Sequence, residues 1–393
     1  MTVLILATIG LFLFWLVEYL RHSRHVAAIP VRVHVNGTRG KSSVTRLIAA
    51  GLRAGGVSTI GKTTGTLPRM ILEDGTEASI ERLHYANIIE QKYVFRFASA
   101  RRPRAMVIEC MAVNPIYQWI TERMFVKSTV SVMTNVRMDH IDQMGTTIDQ
   151  IARSLSNTIP KNGVLFTAEH EQLPILKEVA DKRGTKVFET FGEKVTDDEI
   201  RAFPYIEHHD NVALALAVCE YLGVSRHDAL KGMQTAMPDP GALRKHVVND
   251  RGKVIEFYNV FAANDPGSTR FIWDKIVSML TDQQRMIMLN TRADRYFRSI
   301  QLLEVSMEVE FDYLILTGER TVQLAADAKE MGIPREKLMV LGEIDPSEVY
   351  AKVWEHTKKE AHVAGIGNMA GTRKYGGQIA KYFKKMAEGG IRG

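Results

Sequence analysis

Cysteine is scarce in this sequence. Cys110 and Cys219 are the only two among 393 residues, too few and too far apart for a disulfide framework or a zinc-ligand pattern, and a reducing compartment suits them. No internal repeat recurs along the chain, which excludes a solenoid or propeller. No low-complexity tract interrupts it, and a hydrophobic share of 45% with a charged share of 24% is ordinary for a globular protein, so composition gives no basis for disorder. Excess charge is small. A formal charge of +6 favours an acidic substrate, an acidic polymer or an anionic membrane surface only weakly, and a merely basic soluble surface fits as well. The length exceeds what one core holds and matches two α/β domains.

Lysine and arginine are missing from the first twenty positions, where residues 2–20 read TVLILATIGLFLFWLVEYL with Glu18 as the one charge. About 20 apolar residues span a bilayer, so this run is just long enough. Trp15 and Tyr19 fall where an interfacial aromatic belt belongs, and Arg21 and Arg24 follow at once. The positive-inside rule then puts everything after residue 21 in the cytoplasm. A cleaved signal peptide has a charged start and a small-residue cleavage site; the first is missing and Ala27-Ala28 is a poor version of the second. The expectation is an uncleaved single-pass anchor in the cell membrane, with a signal peptide or a buried helix as the alternatives.

Residues 31–35 (VRVHV) predict a strand, 36–41 a tight loop and 42–52 a helix. Short apolar runs at 105–109, 128–133, 164–166 and 186–188 predict further strands, with helices at 147–156 and 211–222 between and after them. Such alternation indicates a mostly parallel sheet covered on both faces. Met237-Pro238-Asp239-Pro240-Gly241 reads as a hinge between domains. Beyond it, strands at 254–257, 285–289, 313–316, 337–341 and 361–364 alternate with helices at 270–280, 321–331 and 346–360. The expected class is α/β: a P-loop-containing parallel-sheet central domain over 26–240 and a smaller Rossmann-like α/β domain over 241–393. One transmembrane helix in residues 1–25 precedes them.

Gly37-Thr38-Arg39-Gly40-Lys41-Ser42-Ser43 lies between a predicted strand and a predicted helix. Glycines let backbone N–H groups approach phosphate oxygens, and the helix N-terminus adds positive potential. Lys41 would reach the β- and γ-phosphates and the Ser42 hydroxyl would bind Mg²⁺. The usual P-loop has a further glycine where this chain has Val35. The shorter form, Gly-Thr-x-Gly-Lys-Ser/Thr, resembles that of the Mur ligases. Two later segments extend the resemblance. Glu109 ends a predicted strand at the rim where parallel sheets bind ligands, although alone it reads equally as an ordinary strand-end glutamate. Thr134-Asn135-Val136-Arg137-Met138-Asp139-His140-Ile141-Asp142 resembles the Thr-Asn-x-x-x-Asp-His-x-Asp signature of the Mur ligase and folylpolyglutamate synthase superfamily.

That resemblance covers nearly all of residues 31–393 and implies an ATP- and Mg²⁺-dependent ligase. It assigns Lys41, Glu109 and His140 to catalysis, with Ser42, Glu109 and His140 as metal ligands. It assigns Gly37, Thr38, Arg39, Gly40, Lys41, Ser42, Ser43, Asn211 and Arg244 to nucleotide, Arg244 through the Pro240-Gly241-Ala242-Leu243-Arg244 segment. The segment from Phe261 to Pro266 resembles the family's Tyr-Ala-His-Asn-Pro stretch. Lys62, Thr63, Thr64, Arg292, Asp294 and Arg295 are candidates to hold substrate; they read equally as surface residues. Two departures stand out. The lysine that Mur ligases carry after the Asp-His motif is replaced here by Ser156, and an anchor occupies the place of their nucleotide-sugar domain.

Within the superfamily, Pro30 to Val33, Gly61 to Thr66 and Glu109-Cys110-Met111-Ala112-Val113-Asn114-Pro115, together with the anchor, resemble the ligase subunits of poly-γ-glutamate synthases. The implied partners are glutamate, the growing poly-γ-glutamate chain, membrane subunits of a synthase and the bilayer through residues 2–20. No nucleic acid is implied. The rival readings are a folylpolyglutamate-type ligase, against which the anchor argues, and a membrane-bound P-loop ATPase that energises transport.

Overall fold

The structure is a computed structural model that describes residues 1–65, 68–82, 86–203, 205, 207–238, 244–261, 269–270, 273, 283–368 and 375–389, with the side chain of Arg244 outside that set. The chain divides into two compact units, Met1–Asp239 and Pro240–Gly393. The Pro240 to Leu243 segment, the Ala262 to Pro266 segment and nearly all of the helix expected over 270–280 lie outside the described residues.

Short β-branched and apolar runs form the strands of the first unit: β1 (Val31–Asn36), β2 (Thr59–Thr63), β3 (Arg69–Ile71), β4 (Glu77–Ser79), β5 (Ala105–Glu109), β6 (Val130–Met133), β7 (Val164–Thr167) and β8 (Lys186–Glu189). They make one eight-stranded sheet in the order β4-β3-β2-β5-β1-β6-β7-β8. Along that order the pairs from β2 to β8 are parallel, and the two antiparallel pairs are β4 with β3 and β3 with β2. Both faces of the centre are covered, so β1, β5 and β6 are buried along almost their whole length. The helix Lys41–Ala54 is buried continuously from Val44 to Leu52 because sheet lies on one side and the helices His209–Tyr221 and Arg226–Gln234 on the other.

The apolar N-terminal run is one helix, Thr2–Ala27, long and apolar enough to cross a membrane by length and composition. It does not stop at Leu20. The helix expected within residues 1–25 runs on to Ala27, and Pro30 follows three residues later, where helix cannot continue through the residue before it. Its last turns are held by the unit's core: Val26 and Ile29 pack with Ile60, Phe95, Met106 and Val126. The His22 ring nitrogen Nε2 pairs with the Phe125 carbonyl at 2.9 Å.

A buried charged pair joins β1 to the short helix Thr121–Val126. His34 on β1 is fully buried, its Nδ1 is 2.8 Å from Glu122 Oε2, and Glu122 Oε1 accepts from the backbone and hydroxyl of Ser128. Burial alone would lower the imidazole pKa, but Cys110 and Glu122 outweigh it and push the value up to about 9. A folded-state value above the unfolded one gives stability that is fully present below about pH 6.5 and is lost as pH rises toward 9. We expect the unfolding free energy from denaturant titrations to fall between pH 6 and 9.5 by an amount on the order of 1–3 kcal/mol, and Glu122→Gln to flatten that slope. An unchanged slope in Glu122→Gln would remove the pair as its cause.

The second unit carries β9 (Arg244–Asp250), β10 (Lys253–Asn259), β11 (Gln284–Thr291), β12 (Tyr313–Gly318), β13 (Leu338–Gly342) and β14 (Glu360–Gly367), a six-stranded sheet ordered β13-β12-β11-β14-β10-β9. All pairs are parallel except β9 with β10, a tight hairpin turned at Arg251-Gly252. Phe257 and Phe383 stack at 4.1 Å in its core, among Val349, Val353 and Ile379. The helix expected over 346–360 ends at His356, because Thr357 turns extended and Glu360 already begins the buried strand β14.

Candidate active site

Strand order decides what can meet at the rim of the first sheet. β2, β5, β1 and β6 are neighbours and parallel, so their carboxyl ends fall side by side. Register aligns Val35 with Glu109, Asn36 with Met133 and Lys62 with Ile108. The loop Gly37–Gly40 therefore emerges between Glu109 and the segment that begins at Thr134.

Two glycines in that loop are required by geometry. Gly37 has φ 131° and a β-carbon there would meet Thr134 Oγ1 at 2.1 Å; Gly40 has φ 81° and a β-carbon would meet Asn211 Oδ1 at 2.6 Å. Asn211, on the helix His209–Tyr221, thus packs directly against the loop, and its Nδ2 donates to Glu207 at 2.8 Å. The Thr134 segment fixes the other side. The Thr38 amide donates to the Asn135 carbonyl at 2.9 Å, and the Arg39 amide donates to Asn135 Oδ1 at 3.0 Å. Thr134 Oγ1 and Asn135 Nδ2 donate to the Arg39 carbonyl at 2.6 and 3.2 Å, and the Arg137 amide donates to Thr38 Oγ1 at 2.9 Å.

Lys41 opens the helix, with Ser42 and Ser43 on its first turn. The Lys41 ammonium donates to the carbonyls of Gly37 at 2.7 Å and Thr38 at 3.1 Å. Burial pushes its pKa below the ordinary lysine value, and the nearby Glu109 carboxylate opposes that shift. Glu109 Oε2 accepts from Ser42 Oγ at 2.8 Å and from the Thr64 amide at 2.6 Å. His140 lies on left-handed backbone (φ 45°) after the Thr134 segment, its Nε2 3.9 Å from Asp139 Oδ2, and Asp139 in turn pairs with Arg39 at 3.1 Å. The structure thus joins Lys41, Ser42 and Glu109, and it ties His140 to the loop through Asp139 and Arg39.

Lys62 is fully buried beside this rim. Its ammonium is 2.8 Å from Glu90 Oε1, Glu90 also binds Arg82, and burial depresses the lysine pKa against the pull of Glu90. Thr63 Oγ1 is buried with no hydrogen-bond partner among the described residues. Arg292, Asp294 and Arg295 belong to the second unit, on a turn at the carboxyl end of β11, where Arg292 grips Asp294 at 3.0 and 2.7 Å. The Arg244 side chain lies outside the described residues.

Sequence reasoning passed over several residues that shape the site. Asn135 and Asp139 belong to the Thr134–Asp142 motif, and they bind the loop backbone and Arg39. Glu90 and Arg82, which fix Lys62, carried no local signal. Ser156, in place of the family lysine, is buried and spends its hydroxyl on the Ala152 carbonyl at 2.6 Å. Ser156→Ala should therefore change unfolding free energy by about 1 kcal/mol or less and leave turnover at the parent level. A severe loss of activity in that variant would give Ser156 a role in the site.

Residues 35–233 match the Mur ligase middle domain and residues 245–386 match the poly-gamma-glutamate synthase CapB C-terminal domain. The chain is 40% identical over 379 residues to PGA synthase CapB of Bacillus subtilis (strain 168), covering 94% of this chain and 95% of that protein. It is 37% identical over 370 residues to the capsule biosynthesis protein CapB of Bacillus anthracis, covering 93% and 80%. Its fold matches a bifunctional folylpolyglutamate synthase/dihydrofolate synthase, crystallised with Mn, AMPPNP and L-glutamate, at a TM-score of 0.70 and 15% identity, over 93% of this chain and 92% of that one. With both domain families matched in order and such identity along nearly its whole length, the chain belongs to the CapB family of poly-γ-glutamate synthases.

Proposed function

We propose that this chain is an ATP-dependent, ADP-forming acid–amino-acid ligase that extends poly-γ-glutamate. The observation that carries the reading is the junction of Lys41, Ser42 and Glu109 on one sheet rim in a member of the CapB family.

The donor set fits a magnesium–nucleotide complex. A serine hydroxyl and a carboxylate are hard oxygen donors, and no group of three or more His, Cys, Asp or Glu side chains forms an all-protein cage among the described residues. Mg²⁺ is commonly held in this way, by few protein oxygens with phosphates and water completing the shell. Ser42 and Glu109 would hold the ion, with His140 as the third ligand. Bound there, the ion supplies charge neutralisation at the transferring phosphoryl group.

The reaction runs in two steps. A carboxylate of the growing chain attacks the γ-phosphorus, an O–P bond forms, the β,γ-bridging bond breaks, and ADP leaves. A glutamate amine then attacks the acyl phosphate carbon, the C–N bond forms, phosphate leaves, and the amine proton passes to solvent. Lys41 and the N-terminus of its helix offset the repulsion between carboxylate and phosphate. Gly37 to Ser43 form the phosphate loop: Asn135 holds the Thr38 and Arg39 amides, the backbone N–H groups at the helix N-terminus from Lys41 onward face phosphate, and Asn211 holds the loop's shape. Lys62, Thr63 and Thr64 are assigned to a substrate carboxylate, Lys62 from its buried place beside Glu90; the Thr63 hydroxyl, buried without a partner among the described residues, supports that assignment, since a buried donor without an acceptor is costly. Residues 26–240 thus form the ATPase domain. Residues 241–393 contribute Arg244 to nucleotide and Arg292, Asp294 and Arg295 to substrate, arginine being suited to bidentate carboxylate binding.

We further assign the chain to the cell membrane, single-pass through residues 2–20 and with both domains cytoplasmic. Arg21 and Arg24 directly after the apolar run support that orientation. One span encloses no polar path for a polyanion, so the growing chain passes to a separate multi-span subunit.

Membranes bearing the chain, supplied with labelled glutamate and ATP, should yield protease-resistant anionic polymer with ADP as the nucleotide product. AMP as the product, or glutamate-independent ATP hydrolysis without polymer, would reject the ligase reading.

A further inference from the structure

The helix Glu90–Arg101 runs alongside the second half of the N-terminal helix. Lys92 Nζ meets Glu18 Oε2 at 2.8 Å and Ser99 Oγ meets His25 Nδ1 at 2.8 Å, and both contacts join residues 74 apart in sequence. His22 lies edge-on to Phe95 between them, with ring centroids 5.9 Å apart. Two contacts with one offset, seven residues apart on each helix, mean that the helices run in the same direction and in step. Depth along one can therefore be read from the other: Ile89 lies level with Trp15, Tyr93 with Tyr19, and Phe97 with Ser23.

Val94, Phe95 and Ala98 turn into the core, whereas Ile89, Tyr93 and Phe97 are 47%, 66% and 43% exposed. These three follow one another at four-residue spacing and so form one stripe. Trp15 and Tyr19 are stacked rings at the end of the apolar run, where a bilayer has its interfacial layer. Exposed Arg21, Arg24 and Arg96 lie within about two helical turns on the cytoplasmic side of that level. The acids at this end are neutralised, Glu18 by Lys92 and Glu90 by Lys62 and Arg82.

We propose that the Ile89–Tyr93–Phe97 stripe lies in the interfacial layer of the same bilayer that residues 2–20 cross, with Arg21, Arg24 and Arg96 at anionic headgroups. The inference rests on the reading of residues 2–20 as a span. The apolar stripe continues the surface of the anchor at the depth where amphipathic aromatics sit, and the cations complement the leaflet's negative charge. It also places the catalytic rim. Glu90, at the membrane end of this helix, is the partner of Lys62, so the carboxyl end of β2 lies close to the headgroups. Glutamate would be added against the membrane surface rather than out in the cytoplasm.

The test uses the full chain in vesicles of phosphatidylcholine and phosphatidylglycerol. Its own cysteines are both buried, so single substitutions Leu11→Cys, Tyr93→Cys and Val322→Cys, all at exposed positions, each accept one environment-sensitive fluorophore. Doxyl lipids act as the membrane quencher and iodide as the aqueous one. Labels at 11 and 93 should lose about half their emission to doxyl lipid and little to iodide, and the label at 322 the reverse. If position 11 is quenched by lipid while 93 behaves like 322, the stripe does not touch the bilayer and the span stands. If neither 11 nor 93 is quenched by lipid, the span reading fails and the proposal with it. A label at 93 shielded from both quenchers means that protein covers the stripe, which also overturns the proposal.

Discussion

Lys41→Ala lowers ATP-dependent polymer synthesis by at least about 10²–10³-fold, the usual effect of losing one preorganised charge at a transition state. The loss is chemical rather than structural. Lys41 is the first residue of its helix and its ammonium rests on the carbonyls of Gly37 and Thr38, while Val44 to Leu52 of the same helix supply the packing. Alanine has the highest intrinsic helix propensity, so the helix start is not penalised. The check is incorporation of labelled glutamate by membranes, alongside thermal unfolding. Synthesis near the parent rate would remove Lys41 from phosphate binding. A large fall in unfolding temperature would instead show that the lysine holds the loop together.

The second large effect is on metal. Glu109→Gln keeps the side chain's size and an oxygen that can accept from the Thr64 amide, so the rim should keep its shape. What disappears is the negative charge beside Ser42. The Mg²⁺ concentration for half-maximal turnover should rise about tenfold or more, and turnover at saturating Mg²⁺ should fall about 10²-fold. His140→Ala should move in the same direction. Mg²⁺ titrations of both variants that overlay the parent would make these residues structural. A change in Glu109→Gln alone would leave Glu109 and Ser42 as the ligands and give His140 the lesser task of positioning Asp139 and Arg39.

Much of this was legible because the signal was local. Val31 to Ser43 reads as strand, glycine loop and helix from a dozen residues, and the strand ending at Glu109 is an unbroken apolar run. The structure shows why other parts were not. β2 contains Gly61 and Lys62, a poor strand pattern rescued by neighbours on both sides. The helix Glu90–Arg101 has aromatic residues on its outer face as well as its inner one, which erases the amphipathic contrast that would announce it. The Lys62–Glu90–Arg82 cluster joins residues from three separate segments and leaves no mark in any of them. At 346–360 the helical pattern of the sequence runs past the helix's end at His356, up to Glu360, which tertiary pairing claims for β14.

The way the N-terminal helix ends sets where the protein can be cut. Its apolar part and its core-packed part are one rod, and the change occurs within a turn of Arg21. A soluble form that begins at Arg21 keeps His22 against Phe125 and Val26 in the cluster with Phe95 and Ile60. One that begins at Ile29 discards both, and the loss of Val26 burial alone costs about 1.5–3 kcal/mol. Aggregation of a shortened form would then report an exposed seam in the catalytic unit, and the remedy is to restore eight residues rather than to add detergent.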